Sequence, residues 1–328
     1  MSKIVTGEQL SLDFRNLKIT RTPLIDELLF ERDIFMISAD AGAGKSIFAL
    51  NLIGALSFHS TNLFLGCKVF KSVNILYIQL EGDYEETIER LRFMQDGGMI
   101  VDPHKLCIME EKTLNVMDDS SVAGLFRRLN NSGFIPEVVI IDPIYKLAHG
   151  DPSKGEVALA IIRFSDLLYN KFNCTNVLIH HNLKDSYDTT GNKIDKSDSF
   201  YGHSFIKNHV RTSYAMKVTG EDNRLLERKK GRGSDTKARI KMVYDPETCL
   251  LSLDESDHKR SAGGALDRLV RFIEECKEND KTTTAKEVCQ QIDISYDRLR
   301  HIKSDPEILK RVDFKKVQPK NREIWCPI

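Results

Sequence analysis

The chain has 328 residues, of which 41% are hydrophobic and 29% are charged, and its basic and acidic residues balance at a formal net charge of zero. This composition is typical of a folded globular protein and excludes a disordered or collagen-like chain. No apolar run reaches the roughly 18 residues that a membrane-spanning helix needs, and a neutral chain is unlike a protein that coats nucleic acid over its whole surface.

The first residues and the cysteines bear on the cellular compartment. Residues 1–23 contain neither an apolar core followed by a cleavage site nor an Arg-rich amphipathic pattern, so no secretory or organellar signal is predicted. The 7 cysteines include no CxxC pair, which indicates neither a zinc site nor a disulfide framework. We therefore expect a cytoplasmic protein with reduced cysteines and no membrane partner.

Short apolar runs rich in β-branched residues alternate with segments of helical periodicity through the first half of the chain. This alternation predicts an α/β fold with a mainly parallel sheet and helices on both faces. The predicted strands are 33–39, 73–80, 105–109, 137–142 and 175–181, and the predicted helices are about 45–58, 84–96, 120–131 and 154–171.

The pattern changes after the last of these strands. Residues 182–203 are polar and contain glycine, which is typical of a mobile loop. From residue 214 onward, three further strands separated by turns follow one another in hairpin style. We expect this β-hairpin extension to lengthen the sheet at one edge.

A change of composition marks a second, smaller domain. Residues 256–264 are charged and then small, as in a linker. The remainder predicts three helices, the second behind a Thr cap, and then a two-stranded ribbon, which together are a winged-helix arrangement. The predicted units are an N-terminal arm (1–20), a main domain (21–255), the linker (256–264) and the winged-helix domain (265–328).

The segment "ISADAGAGKSIFAL" (37–50) joins a strand end, a loop of small residues, a Lys-Ser pair and a helix. A phosphate-binding loop, or P-loop, needs converging backbone N–H groups, a lysine for the β- and γ-phosphates and a hydroxyl for Mg²⁺. ATP and Mg²⁺ are therefore the predicted ligands. Ala39 stands where the pattern has its first glycine, which is acceptable if its φ is negative. The residues predicted to hold the nucleotide are Asp40, Ala41, Gly42, Ala43, Gly44, Lys45, Ser46 and Ile47.

Two acidic residues at strand ends would complete a hydrolytic site. Asp142 ends an apolar strand, as expected of a carboxylate that holds Mg²⁺ through water, while Ser46 supplies the direct oxygen ligand. No glutamate follows Asp142, so the base must come from elsewhere. Glu81 is the candidate, because it follows a strand that we expect beside the P-loop strand, where it could polarise the attacking water. Asp83 is the fallback, and a solvated turn is the alternative.

The P-loop, Glu81, Asp142, "VLIHH" and the later "GHS" together resemble, in this order, the RecA-like P-loop ATPases. Within them the chain is similar to the RepA-type hexameric replicative helicases of plasmids, over about residues 20–255. The resemblance implies that Glu81 is the water-activating base. It also implies that His180 or His181 senses the γ-phosphate and couples it to a DNA-binding loop. Adjacent strand residues point to opposite faces, so a joint metal site is not expected; packing is the alternative role.

The resemblance further implies a positive charge supplied in trans. RecA-like rings complete each site with a Lys or Arg from the next subunit, because negative charge spreads over the γ-phosphoryl oxygens in the transition state. The resemblance places Arg211 in this role. Lys230 and Arg232 are rivals, since "LERKKGRGSDTKARI" resembles a basic hairpin that related ATPases use for the same purpose. The alternative is a solvated basic hairpin.

Two basic zones point to DNA as the partner. Residues 210–241 hold ten Lys or Arg against four acids, and residues 298–322 hold nine against three. Loop 182–203 follows the sensing strand, where RecA-like ATPases bind a DNA strand, but it also holds four acids. The winged helix carries basic residues on its recognition helix and wing, although such a domain can also bind protein. The candidate DNA-binding residues are Lys184, Lys207, Arg298, Arg300, Lys303, Lys315 and Lys316.

Two functions stay open at this point. The first is an ATP-hydrolysing ring, expected to be a hexamer, that translocates along or unwinds DNA in the replication of a plasmid, phage or mobile element. The second is an ATP-switched DNA-binding, recombination or repair mediator without processive unwinding. A complete site with a base favours the first function, and the appended winged helix keeps the second open.

Overall fold

The structure is a computed structural model, and within the residues that it describes no helix has the length and apolarity that crossing a bilayer requires. The described residues are 6–8, 21–58, 63–151, 153–182, 186–187, 193–194, 204–231, 236–254, 265–279, 281–292, 299, 312–317 and 322–327.

A mixed sheet forms the centre of the fold. Its described strands, from one edge to the other, are β15 (Leu250–Leu253), β14 (Arg239–Asp245), β13 (Asn223–Lys230), β12 (Thr212–Val218), β3 (Ile34–Ala39), β9 (Thr175–His181), β8 (Val138–Asp142), β6 (Ile75–Gln79) and β7 (Leu106–Glu110). The strands from β12 to β7 are parallel, whereas β13, β14 and β15 continue the sheet antiparallel beyond β12. The predicted parallel sheet and its hairpin extension are both confirmed.

Five helices and three short hairpins of the main domain are described besides the central sheet. Each predicted helix of the main domain is found within two residues of its expected limits. The helices are α1 (Lys45–Ser57), α2 (Tyr84–Asp96), α3 (Asp119–Ser132), α4 (Gly155–Phe172) and α5 (Ser204–His209), and the short hairpins pair β1 (Pro23–Ile25) with β2 (Leu29–Phe30), β4 (Leu63–Phe64) with β5 (Cys67–Lys68), and β10 (Ser186–Tyr187) with β11 (Lys193–Ile194).

Alternate residues of the central strands enter two separate hydrophobic layers. In β8, Val138 and Ile140 pack in the layer that contains α1, while Val139 and Ile141 pack in the layer that contains α3 and α4. A sheet covered by helices on both faces needs apolar side chains on both faces, which is why its strands read as continuous apolar runs. Asp142 shares the alternation of Val138 and Ile140 and therefore faces the α1 side.

The strand that precedes Glu81 does not lie beside the P-loop strand. β9 and β8 separate β3 from β6, so the expected adjacency is wrong. Consecutive strands of a parallel sheet are often neighbours, but the packing of each crossover decides their order and the chain here skips two places.

The C-terminal residues build a small core of their own. α6 (Ala265–Glu278) and α7 (Ala285–Ile292) accompany a sheet in which β18 (Arg322–Pro327) lies between β16 (Thr283–Thr284) and β17 (Val312–Val317). The buried side chains of this core are Leu269, Ile273, Val288, Ile292 and Leu299.

Two details of this unit were predicted. At the start of α7 the Thr284 N–H donates to Glu287 Oε2 at 2.9 Å, and the Glu287 N–H donates back to Thr284 Oγ1 at 3.4 Å. This reciprocal pair is the expected Thr cap. The ribbon is also present as β17 and β18. The predicted third helix lies outside the described residues except for Leu299, and the winged-helix assignment stays a prediction.

Candidate nucleotide-binding site

The P-loop connects the end of β3 to the start of α1 at the carboxyl edge of the parallel strands. Gly42 and Gly44 have φ angles of 75° and 94°, a left-handed conformation that favours glycine. Ala39 needs no such freedom, because it is a buried strand residue paired with Met216 and His181. The missing first glycine is therefore compatible with the P-loop geometry. The predicted nucleotide-holding residues lie together in loop 40–44 and the first turn of α1.

Lys45 turns back into this loop. Its side-chain Nζ donates to the carbonyl oxygens of Ala39 at 3.1 Å and Asp40 at 2.7 Å. Burial lowers the pKa of Lys45, while the carboxylates of Asp142, Asp40 and Glu81 act in the opposite direction. The lysine thus stands where three acidic residues converge, and it is the positive charge that a polyphosphate would meet.

Asp142 lies buried at the end of β8. The Tyr77 hydroxyl donates to its Oδ2 at 2.9 Å. Burial raises the pKa of Asp142 above the ordinary value of 3.8, and hydrogen bonds from Ser46 and Tyr77 and the charge of Lys45 oppose this rise. The Ser46 hydroxyl and the Asp142 carboxylate are adjacent hard oxygen donors, which is the chemistry that Mg²⁺ prefers. These residues fit the predicted metal.

Glu81, Tyr145 and His181 form a cluster beside Lys45. The Tyr145 hydroxyl donates to Glu81 Oε1 at 3.0 Å, and Glu81 Oε2 lies 4.0 Å from His181 Nε2. The Tyr145 and His181 rings meet edge to face, with centroids 5.1 Å apart. Burial lowers the pKa of His181, with Lys45 acting in the same direction and Glu81 against it. The imidazole is therefore neutral at neutral pH and able to donate or accept a hydrogen bond.

His180 lies on the opposite face of β9 from this cluster. It is fully buried and pairs in register with Ser38. The structure therefore brings only one of the two histidines to Lys45 and Glu81, as alternation along a strand requires. Asp83, the fallback base, lies at the N-cap of α2 and forms an ion pair with Lys112.

Arg211 and Lys230, two of the three candidates for a charge in trans, lie at the amino edge of the sheet, opposite the P-loop. Arg211 precedes β12, and its guanidinium donates to the Arg32 carbonyl at 2.6 Å and stacks over the Tyr169 ring, 5.1 Å from its centroid. Its backbone N–H bonds Ile34, at the start of β3. The length of β3, about 16 Å at about 3.3 Å per residue, separates Arg211 from its own P-loop.

Lys230 occupies the same edge. Its Nζ donates to the carbonyls of Lys207 and Asn208, each at 2.9 Å, at the end of α5. Arg211 and Lys230 both act on His209, whose pKa is lowered first by burial and then by these two cations, against the carboxylate of Asp166. Arg211 and Lys230 thus share one basic cluster, remote from the P-loop of their own chain.

Of the remaining predicted residues, Lys207 is the one whose side chain the structure describes. Lys207 is exposed on α5, and Lys315 and Lys316 are on strand β17, for which only the backbone is described. The others lie outside the described residues: Lys184, Arg232, Arg298, Arg300 and Lys303.

Four residues of the site were not predicted. Arg224 Nε donates to the Ala43 carbonyl at 3.2 Å, and Asn182 Nδ2 donates to Asp40 Oδ1 at 3.2 Å, so each holds the P-loop from a separate strand. Tyr145 and Tyr77 hold the two carboxylates described above. Tyr145 follows Asp142 closely in "IIDPIY", which is a usable signal, whereas Arg224 and Tyr77 carry none, because their roles depend on strand order.

Comparison with protein families identifies the domain that carries this site. A model of the family described as the AAA domain matches residues 9–187, a span that includes the P-loop, Glu81, Asp142 and both histidines. No curated protein matches the chain.

Proposed function

This chain belongs to the AAA domain family, whose P-loop domain supports an ATPase, and we propose that it is a RecA-like, DNA-binding ring ATPase. In this proposal it assembles as a hexamer and hydrolyses ATP to translocate along or unwind DNA during replication of a plasmid, phage or other mobile element. We choose DNA as the partner because the sequence motifs resemble those of RepA-type helicases.

One observation carries the proposal. Lys45, which follows β3, lies within the electrostatic reach of Asp142, which ends β8, and of Glu81, which follows the neighbouring strand β6. A phosphate-binding lysine, a buried magnesium-type carboxylate and a half-exposed glutamate at one edge of a sheet are the parts that phosphoryl transfer to water needs.

Each residue of the site has a separate role in the proposed hydrolysis of ATP. Lys45 and the backbone N–H groups of the loop hold the β- and γ-phosphates. Ser46 and Asp142 would hold Mg²⁺, which when bound neutralises charge on the phosphate oxygens. Glu81 accepts a hydrogen bond from the attacking water and draws off its proton. In this proposal His181, 4.0 Å from Glu81, senses the γ-phosphate.

The proposed assembly into a ring is supported by the distance between the P-loop, at the carboxyl edge of the sheet, and the basic cluster, at the amino edge. Arg211 and Lys230 cannot reach the P-loop of their own chain from the amino edge of the sheet. If subunits pack with this edge against the carboxyl edge of a neighbour, the basic cluster meets the neighbour's γ-phosphate. Arg211 would first have to leave the Arg32 carbonyl and the Tyr169 ring that hold it here.

The test of the main proposal is steady-state ATP hydrolysis without DNA, with single-stranded DNA and with duplex. We expect single-stranded DNA to stimulate turnover, Lys45→Ala to abolish ATP binding, and Glu81→Gln to retain binding while stopping turnover. Arg128→Ala is the matched control, since Arg128 is exposed, lies outside both basic zones and pairs with Glu111. Tight ATP binding with little turnover under every condition would instead support the ATP-switched DNA-binding or recombination mediator.

A mixing experiment tests the charge in trans. Arg211→Ala leaves the P-loop intact but removes the cation, whereas Lys45→Ala leaves the cation intact but removes the P-loop lysine. Each variant alone should lose about 10³-fold or more of its turnover, and mixing them should restore part of it. Restoration requires that one subunit supplies Arg211 to the site of another. If Arg211→Ala is fully active, the same mixture is made with Lys230→Ala.

A further inference from the structure

The Tyr145 hydroxyl donates a hydrogen bond to Glu81 Oε1 at 3.0 Å. Glu81 lies two residues beyond the end of β6, and its side chain is 51% exposed. A carboxylate in such a position has several rotamers open to it, and fixing one of them requires a partner.

We infer that Tyr145 is a positioning residue for hydrolysis, which fixes the Glu81 carboxylate so that Oε2 faces the water that attacks the phosphate. Its hydroxyl occupies Oε1 and leaves Oε2, on the side of His181, to accept the proton of the water. This inference deepens the proposed function and rests on Glu81 acting as the base.

The ring of Tyr145 has its own constraint. It packs edge to face against His181 at 5.1 Å, with an interplanar angle of 83°. Tyr145 also follows Asp142 by three residues, in the turn that leaves β8. Tyr145 is therefore linked to three groups of the site. Its hydroxyl contacts the base Glu81, its ring contacts the sensing histidine, and its backbone follows the strand that ends at the magnesium-binding carboxylate.

The test separates the hydroxyl from the ring. Tyr145→Phe keeps the ring against His181 and removes only the donor, so the fold should be unaffected. We expect kcat to fall about tenfold, the size of one hydrogen bond to a charged group, with KM for ATP unchanged. Equilibrium binding of ATP should also be unchanged, because the contacts of Tyr145 that the structure describes are with Glu81, His181 and Lys146. Tyr84→Phe, at an exposed tyrosine at the start of α2, is the matched control and should behave as the wild type.

A double-mutant cycle decides whether Tyr145 acts through Glu81. In the Glu81→Gln background, the residual single-turnover rate should not fall further when Tyr145→Phe is added, because two groups that act as a unit are not additive. A multiplicative loss would overturn the inference, as would a Tyr145→Phe variant with wild-type kcat beside an inactive Glu81→Gln variant. If Glu81→Gln itself retains full turnover, the proposed base is wrong, and the inference is overturned together with it.

Discussion

Replacing Tyr77 by phenylalanine removes a single hydroxyl from the centre of the site. This hydroxyl donates at 2.9 Å to Asp142 Oδ2, and both side chains are buried, with 3% and 5% of their surface exposed. Phenylalanine keeps the ring and therefore creates no cavity. A hydrogen bond to a charged acceptor contributes about 1.5–3 kcal/mol, so Tyr77→Phe should lower the free energy of unfolding by about 2 kcal/mol.

The loss should depend on pH. The folded pKa of Asp142 lies above the ordinary 3.8 because of burial, and the bond from Tyr77 acts against this rise. A carboxyl with a raised folded pKa makes the folded state less stable as the pH rises through that pKa. Removing the donor increases this effect. The difference between variant and wild type should therefore be largest at about pH 8 and shrink as the pH falls toward the folded pKa.

The assay is urea unfolding followed by circular dichroism, since the single tryptophan, Trp325, lies in the C-terminal unit. Tyr214→Phe is the matched control. The Tyr214 hydroxyl is equally buried but donates to a neutral acceptor, the Lys237 carbonyl, at 2.7 Å, so its loss should cost about 1 kcal/mol at every pH. If Tyr77→Phe shows the same loss at every pH, or no loss at all, Asp142 is not the charged acceptor that we describe.

Three further outcomes are expected. Gly44→Ala should lower the free energy of unfolding by about 1–2 kcal/mol, because the added Cβ has room but the φ angle is 94°. The control Gly124→Ala, in helix α3, should raise the free energy of unfolding by up to about 1 kcal/mol. Equal shifts of the urea midpoint in the two variants would contradict this. Arg224→Ala should weaken ATP binding about fivefold by freeing the Ala43 carbonyl, whereas Arg239→Ala should not, as titration calorimetry can show. Deleting residues 262–328 should spare basal ATP hydrolysis and weaken DNA binding in fluorescence anisotropy; unchanged affinity would make the C-terminal unit a protein-binding module.

Local pattern predicted the elements of the site but not how they meet. The P-loop, the strand that ends at Asp142 and the limits of α1 follow from residue types at fixed spacing, because turn chemistry and apolar periodicity act over a few residues. The position of Glu81 relative to Lys45 does not, since it depends on β9 and β8 lying between β3 and β6. The contacts of Tyr77 and Arg224 were missed for the same reason, since each meets a residue that only the order of strands brings near; Tyr145 was missed although it follows Asp142 closely in the sequence.

Strand β13 connects the P-loop to the basic cluster at the opposite edge of the sheet. Arg224, near its beginning, holds the P-loop at Ala43, and Lys230, at its end, holds the last turn of α5 beside Arg211. The strand pairs with β12 from Arg224 to Lys230, with a register shift opposite Ser213 and Tyr214, and with β14 from Asn223 to Glu227, so its first half is held on both sides. From Arg224 to Lys230 the strand spans about 20 Å at about 3.3 Å per residue, and a movement of the P-loop at Ala43 would pull on the basic cluster through it. In a ring, this connection would let the nucleotide state of one subunit set the reach of the cation offered to the next.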